Sequence, residues 1–517
     1  MHLPKIQCLI LNPKDNVGIL VTSSGRRGQI AESSCSCTVR LKGHIPKGHK
    51  VAIKKIKNKE PILKSGQIIG IARRNIEFGE HVHLHNIKFL DKVTFAARHW
   101  NKEMIKLYDQ NNMFPGSFMG FLRRDGRAGV RNYIVVASTV NCSATVAKEV
   151  AHYFKNKNLS QYGIDAIVPI THVSGCAQSL KGYTYKLLNR SIAGWLNHPN
   201  VVGGVIIGLG CEMVTLESLA SGLSKKYGFS KNYQECINIQ EAGGVRKSIK
   251  LGINRVERLL SKLSDFRRTE LPVSLLTVAL KCGGSDVFSS ITANPALGVV
   301  SDILVSLGGT TVMGEVPECY GAKNLLLARC LRKIDRKRLN EIFSWWDYYA
   351  KKNNVNMNDN ISLGNIRGGI STILEKSLGA IAKGGTSAIS EVVDYAQRVR
   401  RKGFVFMNTP GFDPVAVTGM VAGGCNLVAF TTGRGSVYGC SISPTIKIAT
   451  NSELYQKMRS DMDINAGVAL KKGNLEGVAL DIYRFLIQVA NGEKKTASEK
   501  QGLGMEEFVP WQAGEIL

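Results

Sequence analysis

Residues 133–154 read YIVVASTVNCSATVAKEVAHYF, an apolar run followed by a helical pattern. Tyr133–Ala137 is the candidate strand and Ser143–Phe154 the candidate helix. The same order recurs along the chain from Gly120 onward. Strands that alternate with helices in this way form largely parallel sheets covered by helices. The stretch therefore predicts an α/β region with largely parallel sheets.

Further apolar runs predict the other elements of this region. They are the strands Ala166–Ile170, Val202–Gly208, Leu275–Leu280, Thr311–Gly314, Phe404–Met407 and Leu427–Phe430, and the helices Leu216–Lys226 and Val245–Leu263. Ligands of parallel sheets bind at the carboxyl ends of the strands, so the residues that follow these runs are the first candidates for a site.

The beginning of the chain has a different pattern. Short apolar runs, such as Val17–Val21 and Ile68–Ala72, are separated by turns that contain glycine. That pattern is typical of a small all-β domain. We therefore predict an all-β domain at 1–90, a linker at 91–117, a first α/β part at 118–268 and a C-terminal α/β part at 269–517.

Composition limits the classes of function and partner. The 517 residues include 68 Lys and Arg against 40 Asp and Glu, a net charge of +28. The basic residues are dispersed, without zinc-finger spacing or a basic–aromatic pattern, so no nucleic-acid partner is expected. The surplus is interpreted as a solvated surface that also attracts a small anionic substrate. Apolar runs such as Val201–Leu209 end after about nine residues, so no membrane partner is expected.

The cysteines are expected to be free thiols. The N-terminal residues lack a basic region followed by a long apolar one, so no secretory signal is predicted. We accordingly expect a cytoplasmic protein, whose 12 cysteines are available for metal binding or catalysis.

Three histidines alternate in the segment GEHVHLHN (79–86). On a β-strand, His81, His83 and His85 would share one face, a spacing that suits a divalent metal ion or an anionic substrate. The alternative is an exposed edge strand whose histidines face solvent. His44 and His49 lie in the same predicted domain and could contribute.

Three cysteines flanked by glycine follow three predicted strands. They are Cys176 in THVSGC (171–176), Cys211 in GLGCE (208–212) and Cys282 in CGGSD (282–286). Since parallel strands end at one edge of a sheet, the thiols are expected to converge on one metal ion or one iron–sulfur cluster. The alternative is that they are small buried residues.

Other strand ends carry an arginine and several carboxylates. TTGRGS (431–436) follows a strand, and its backbone N–H groups and Arg434 are suited to binding a carboxylate. TPGFD (409–413) and GEVPE (314–318) add carboxylates, for which the role of base, metal ligand or helix cap stays open.

Together these segments resemble the altronate dehydratase and galactarate dehydratase family along nearly the whole chain. Further matching stretches are GHKVAI (48–53), DGRAGVRNY (125–133), ITANPALG (291–298), EVPECYGA (315–322), PTIKIATN (444–451) and DMDINAG (461–467). The resemblance implies an N-terminal SAF domain, which has a β-clip fold, and a two-part catalytic region. It also implies a hydro-lyase of hexuronate catabolism that converts a sugar acid to a 2-keto-3-deoxy acid with a divalent metal ion, commonly Fe²⁺.

The residues and the resemblance together suggest these roles. Metal ligands are expected among His83, His85, Cys176, Cys211 and Cys282, with Fe²⁺ or Mn²⁺ as the ion and an iron–sulfur cluster on the three cysteines as the alternative. Catalytic candidates are His172, Glu212, Asp286 and Arg434. Substrate-binding candidates are Asn86, Ser285, Asn294, Asp413, Thr432, Gly433 and Arg434.

Three classes of function stay open. The first is a hydro-lyase acting on an altronate-type hexonate, with galactarate as the alternative substrate. The second is a lyase that expels sulfite from a sulfo-acid. The third is a non-catalytic binding homologue. Its main support is that the sequence departs from the family pattern at Ile366 and Leu374. The expected partner is a small anionic sugar acid, and a homo-oligomer is left open.

Overall fold

The computed structural model describes residues 5–35, 37–88, 114–176, 179, 181–212, 234–263 and 266–512. Within these residues the N-terminal part is all-β and the remainder is α/β. The predicted linker at 91–117 lies mostly outside the described residues, and the predicted helix Leu216–Lys226 lies wholly outside them.

Short strands joined by tight turns form the N-terminal domain. They are β1 (Ile6–Leu9), β2 (Val17–Leu20), β3 (Ile30–Ser33), β4 (Thr38–Arg40), β5 (Lys50–Ala52), β6 (Pro61–Lys64), β7 (Gln67–Ala72), β8 (His81–Val82) and β9 (Ile87–Lys88). One sheet has the order β4-β3-β1-β2-β5-β8 and the other the order β6-β7-β9. The prediction of a small all-β domain is confirmed.

The α/β region contains two parallel sheets and one small antiparallel sheet. Its strands are β10 (Ser117–Leu122), β11 (Ala128–Gly129), β12 (Tyr133–Ser138), β13 (Ala166–Ile170), β14 (Val201–Gly208), β15 (Gln234–Asn238), β16 (Thr269–Pro272), β17 (Thr277–Cys282), β18 (Thr310–Met313), β19 (Ile389–Val393), β20 (Gly403–Met407), β21 (Leu427–Thr432), β22 (Thr445–Ala449) and β23 (Ile464–Asn465). The four-stranded parallel sheet has the order β13-β12-β14-β15, and the seven-stranded one has the order β19-β20-β18-β17-β21-β22-β23. Each predicted strand of this region has a counterpart here.

Helices cover the parallel sheets. They are α1 (Ala144–Tyr153), α2 (Tyr183–Leu196), α3 (Val245–Lys262), α4 (Ala293–Ser306), α5 (Val316–Cys319), α6 (Lys323–Arg329), α7 (Lys333–Lys352), α8 (Leu363–Arg367), α9 (Ile373–Ile381), α10 (Asp413–Ala422), α11 (Ser452–Lys457), α12 (Val468–Lys472), α13 (Leu475–Ala490) and α14 (Ala497–Lys500). α1 and α3 confirm two of the predicted helices.

The two α/β parts share one hydrophobic core. Successive residues of β12 point to opposite faces, so Ile134 packs with α1 and α3, whereas Val135 packs with α2 and with strands of the seven-stranded sheet. The Trp195 side chain of α2 donates a hydrogen bond to the carbonyl of Thr418 in α10 at 3.0 Å. The two parts are therefore joined by packing.

One segment, Val287–Ser306, is long and apolar enough to cross a membrane by length and composition. This segment is longer than the apolar runs of about nine residues that were expected from the sequence. However, 78% of its most apolar window is buried inside the protein. Because α4 runs through the shared core, its apolar character is explained by packing.

Two buried lysines attach the N-terminal domain to the C-terminal part. The Nζ of Lys50 lies 2.8 Å from one oxygen of Glu375, and the Nζ of Lys64 lies 2.7 Å from the other. All three side chains are at most 5% exposed. Burial opposes the charge of Glu375, but the two ammonium groups hold its pKa well below the ordinary value. Glu375 is therefore a charged link between the two domains.

We expect Glu375→Ala to lower the free energy of unfolding by about 3–5 kcal/mol, because it leaves two buried ammonium groups without a counter-charge. Urea-induced unfolding followed by circular dichroism measures this loss. Glu453→Ala is the matched control, since Glu453 pairs with Lys47 at 3.2 Å across the same boundary but is 75% exposed. The control should lose no more than about 1 kcal/mol. Equal losses in the two variants would contradict the prediction.

Candidate functional site

Four imidazoles of the N-terminal domain are packed together at its boundary with the C-terminal part. The ring of His49 lies 5.2 Å from that of His81 and 4.8 Å from that of His83, measured between centroids. His81 in turn lies 5.5 Å from His83 and 5.3 Å from His85. We call these four residues the His cluster. His49 faces the C-terminal part, where its Nε2 lies 3.3 Å from the carbonyl oxygen of Arg367.

A turn, rather than a long strand, forms the His cluster. β8 ends at Val82, so the strand predicted over 81–86 is wrong. The Asn86 oxygen accepts the N–H of His83 at 2.9 Å, and the Asn86 amide donates to the carbonyl of His81 at 2.9 Å. Both polar ends of Asn86 hold the turn. In this structure Asn86 therefore positions the histidines, and its expected role in substrate binding stays a prediction.

The His cluster offers the nitrogen ligands that divalent metal ions bind. Burial and the neighbouring basic groups lower the pKa of His81 to about 3 and that of His83 to about 4, so both rings are neutral at pH 7. His83 Nε2 is buried and has no hydrogen-bond partner among the described residues. A buried nitrogen of this kind is expected to bind an ion or another ligand. The predicted ligands His83 and His85, with His49 and His81, are thus the residues that could hold Fe²⁺ or Mn²⁺.

Three loops at the carboxyl ends of β17, β21 and β22 meet around Asp286. One Asp286 oxygen accepts from the Thr450 hydroxyl at 3.0 Å and the other from the Asn451 amide at 3.1 Å. The Ser289 N–H also donates to Asp286, at 2.8 Å. Gly433 packs so closely that a Cβ there would collide with the carboxylate. We call this group the Asp286 junction and assign Asp286 a positioning role instead of the expected catalytic one.

Arg434 extends from the Asp286 junction. Its backbone N–H donates to the carbonyl of Gly284 at 2.8 Å, which fixes the start of the loop. Thr432, which is buried, accepts the N–H of Gly435 at 3.1 Å. The Arg434 side chain is exposed and, within the described part of the chain, forms no ion pair or hydrogen bond. This guanidinium is therefore available to an anionic ligand.

One backbone segment, 367–369, separates the His cluster from the Asp286 junction. Its Arg367 carbonyl faces His49, and its Gly368 carbonyl accepts the N–H of Val287 at 2.9 Å. A Cβ on Gly368 would lie 2.9 Å from the side chain of Asp286. We therefore treat the two groups as one candidate site.

Two of the expected substrate-binding residues are used within the protein. Asn294 donates to the carbonyl of Gly379 at 2.9 Å and accepts from the Thr431 hydroxyl at 2.6 Å. The Ser285 carbonyl accepts from the Asn365 amide at 2.7 Å. The Asn294 side chain therefore supports the site from behind, whereas Ser285 is held only through its backbone and stays a candidate.

A buried network of lysines and carboxylates surrounds Cys282 at the end of β17. Its ion pairs join Lys281, Lys376 and Lys383 to Glu315, Glu318 and Asp413. The charges of these six groups balance. Sequence reasoning missed the lysines, although a lysine inside an apolar strand, as in TVALKC (277–282), was a signal for Lys281. Asp413, expected to bind substrate, pairs with Lys281 at 2.7 Å instead.

Cys282, Glu315 and Glu318 offer three ligand atoms within 4.8 Å of one another, a group that could hold a metal ion. Each carboxylate is already paired with a lysine, so an ion would have to displace an ammonium group. Burial also raises the pKa of Cys282 to about 12, which disfavours the thiolate that binds metals. Among the described residues, the imidazoles of the His cluster form no such ion pairs, so we favour them as the candidate ligands.

The other predicted residues lie at the carboxyl edge of the four-stranded sheet. Glu212 accepts from the Thr139 hydroxyl at 2.6 Å and from the N–H of Gly210 at 2.7 Å. Burial opposes its charge, but these bonds hold the pKa of Glu212 below its ordinary value. Burial lowers the pKa of His172 to about 4. Among the described residues, no hydrogen bond or ion pair joins this edge to the Asp286 junction.

The predicted convergence of three cysteines is not observed. Cys176 lies beyond the end of β13 and Cys211 beyond the end of β14, both in the four-stranded sheet. Cys282 follows a strand of the seven-stranded sheet and is enclosed by Lys383, at 3.0 Å, and Glu318, at 3.4 Å. Because the strand ends belong to two different sheets, the three thiols do not form one ligand set.

Three family models match successive parts of the chain. The Altronate/galactarate dehydratase SAF domain matches residues 6–90. The second domain of D-galactarate dehydratase/Altronate hydrolase matches residues 120–264, and the C-terminal model of D-galactarate/Altronate dehydratase matches residues 273–516.

Known proteins are similar along most of the chain. An altronate dehydratase of Bacillus subtilis (strain 168) is 33% identical over 465 residues, which cover 88% of this chain and 90% of the relative. A galactarate dehydratase (L-threo-forming) of Escherichia coli (strain K12) is 34% identical over 495 residues, 95% of this chain and 94% of the relative. The beta subunit of a (2R)-sulfolactate sulfo-lyase from Chromohalobacter salexigens is 29% identical over 402 residues, 76% of this chain and 96% of the relative.

We expect His83→Ala to weaken Mn²⁺ binding to the full-length protein at least tenfold, about 1.4 kcal/mol, because it removes a buried nitrogen donor. Isothermal titration without substrate measures the affinity. His44→Ala is the control, since His44 is exposed in the same domain and shows no ring contact with the cluster in the described structure. Wild-type affinity in His83→Ala would exclude His83 as a ligand.

Proposed function

Because the chain belongs to the altronate dehydratase and galactarate dehydratase family, we propose that it removes water from an altronate-type hexonate to give a 2-keto-3-deoxy acid. The enzyme is a carbon–oxygen lyase. One observation supports the substrate class: the His cluster and the free guanidinium of Arg434 both lie next to the Asp286 junction. A hydroxy acid has hydroxyl oxygens suited to a metal ion at the His cluster and a carboxylate suited to Arg434.

Dehydration of a 2,3-dihydroxy acid removes the proton at C2 and the hydroxyl group at C3, and the resulting enol becomes the 2-keto acid. A divalent ion held by His83 and its neighbours in the His cluster, with His85 left free as a base, would supply a Lewis acid for the charge that develops on the substrate oxygens. The protein must then fix the carboxylate, accept the C2 proton and protonate the leaving hydroxyl group.

We assign the first two of these tasks to residues of the candidate site. Arg434 binds the substrate carboxylate through charge-assisted hydrogen bonds. Gly433 allows the loop backbone to come close, since it carries no side chain to collide with Asp286. His85, the exposed ring of the cluster, accepts the C2 proton. This replaces His172 as the candidate base, because His172 lies at the edge of the other sheet.

The other functions have weaker support. Identities of 33% and 34% do not separate altronate from galactarate, so galactarate is the second candidate substrate. Similarity to the sulfo-lyase subunit makes the release of sulfite from a sulfo-acid the third candidate activity. A non-catalytic role is not favoured, because the departures at Ile366 and Leu374 leave the His cluster and Arg434 in place.

We expect the full-length protein, loaded with Fe²⁺, to form a 2-keto acid from altronate faster than from galactarate. Sulfolactate should yield no sulfite. Chelation should abolish the activity and Fe²⁺ should restore it, because the developing charge needs a Lewis acid. A 2-keto acid assay and a sulfite assay measure the products. Lack of product from every substrate would contradict the proposal, and activity after thorough chelation would contradict the metal requirement.

We expect Arg434→Gln to raise KM at least tenfold with a smaller change in kcat. The substitution removes charge-assisted hydrogen bonds to the substrate carboxylate, which contribute about 1.5–3 kcal/mol. Steady-state kinetics with altronate measures both constants. Arg459→Gln is the control, since that exposed arginine stacks on Tyr455 at 4.7 Å. An unchanged KM in Arg434→Gln would exclude the carboxylate contact.

A further inference from the structure

Three cysteines follow three neighbouring strands of the four-stranded parallel sheet. Cys142 comes after β12, Cys176 after β13 and Cys211 after β14, and β12 lies between the other two strands. Because parallel strands end at the same edge, the three loops emerge side by side. Cys142 is not among the glycine-flanked cysteines that the sequence singled out.

Hydrogen bonds join the first of these loops to both of the others. The N–H of Asn141 donates to the carbonyl of Ser174 at 3.0 Å, which ties the Cys142 loop to the Cys176 loop. The hydroxyl of Thr139 donates to Glu212 at 2.6 Å, which ties the Cys142 loop to the Cys211 loop. The backbone therefore holds the three cysteines in one neighbourhood.

The thiols are close enough to affect one another. Cys176 and, at longer range, Cys142 both act electrostatically on the Cys211 thiol, so the three side chains lie near one another. Cys142 and Cys211 are exposed, Cys176 is half-buried, and all three are free. Three free thiols that lie near one another form a ligand set once a cationic centre compensates the charge of their thiolates.

The spacing of the sulfurs favours a cluster over a single ion. Among the described residues, only Cys282, Glu315 and Glu318 offer three ligand atoms that all lie within 4.8 Å of one another, so the three sulfurs do not. A tetrahedral Zn²⁺ with Zn–S bonds of about 2.3 Å needs sulfurs about 3.8 Å apart. An iron–sulfur cluster binds each thiolate to a different iron and spreads the thiolates farther apart.

We propose that Cys142, Cys176 and Cys211 bind an iron–sulfur cluster at the carboxyl edge of the four-stranded sheet. Three thiolates serve three irons of a [4Fe–4S] cluster and leave the fourth without a thiolate from this set, which suits an oxygen ligand of a small acid. Cys142 thus replaces Cys282 in the ligand set expected from the sequence. A role of the cluster in dehydration would rest on the proposed function. The presence of the cluster does not depend on it.

Anaerobic reconstitution of the full-length protein tests this site. Equal amounts of Fe²⁺ and Fe³⁺ with sulfide form a [4Fe–4S]²⁺ core without a further oxidant. We expect about four irons and four labile sulfides per chain, with visible thiolate-to-iron absorption. Cys142→Ser, Cys176→Ser and Cys211→Ser should each lower bound sulfide at least fivefold. Cys236→Ser is the control, since Cys236 is an exposed thiol on β15 of the same sheet.

Circular dichroism checks that the variants fold, and a second test needs no variant. Loading should protect the three cysteines of the wild-type protein, but not Cys236, from alkylation mapped by mass spectrometry. Iron without labile sulfide, sulfide retained by any of the three serine variants, or equal loss in Cys236→Ser would overturn the proposal. No substrate is used, so failure here and failure of the hydro-lyase assay are separate results.

Discussion

The buried contacts of Glu375 with Lys50 and Lys64 are the constraint on which the candidate site depends. Lys50 follows His49 directly, and it also donates to the carbonyl of Gly369 at 2.7 Å. Fixing Lys50 therefore fixes His49 against the segment 367–369, and His81 and His83 pack on His49. The sheets of the N-terminal domain could form without this contact, but their imidazoles would have no defined position relative to the loops of the other domain. Because a buried charge needs its partner in place, these contacts specify how the two domains meet.

Charge elsewhere in the protein is arranged differently. The network around Cys282 is balanced, so the net charge of +28 is not concentrated there. A cleft of about 760 Å³ at the opposite, amino-terminal edge of the seven-stranded sheet has basic residues in its lining, among them Arg127, Arg398 and Arg401. The general surplus can attract an anionic substrate from a distance. At the candidate site, by contrast, recognition depends on Arg434 and on neutral rings.

Strand–helix alternation predicted the parallel sheets because strands buried on both faces appear in a sequence as continuous apolar runs. The sequence indicated that the histidines lie together, but the Asn86 turn that gathers them has no periodic signal. Each cysteine was correctly placed after a strand, but the sequence does not show which strands share a sheet. Cys282 lies in one sheet and Cys176 in the other. Cys142 was missed because no glycine flanks it.

The balanced network also explains why the Asp286 junction can be rigid. Glu315 adopts a left-handed backbone conformation with φ of 65°, which a non-glycine residue keeps only at a cost of about 1–3 kcal/mol. Its carboxylate pairs with Lys281 of β17 and with Lys383, at 2.6 Å, beyond α9. These pairs join elements that are distant in the sequence immediately behind the loop that begins at Gly283. Two buried charge groups, one between the domains and one behind the strand ends, therefore hold the two halves of the site against each other. A site assembled in this way can keep Arg434 exposed and unpaired, because its geometry does not depend on that side chain.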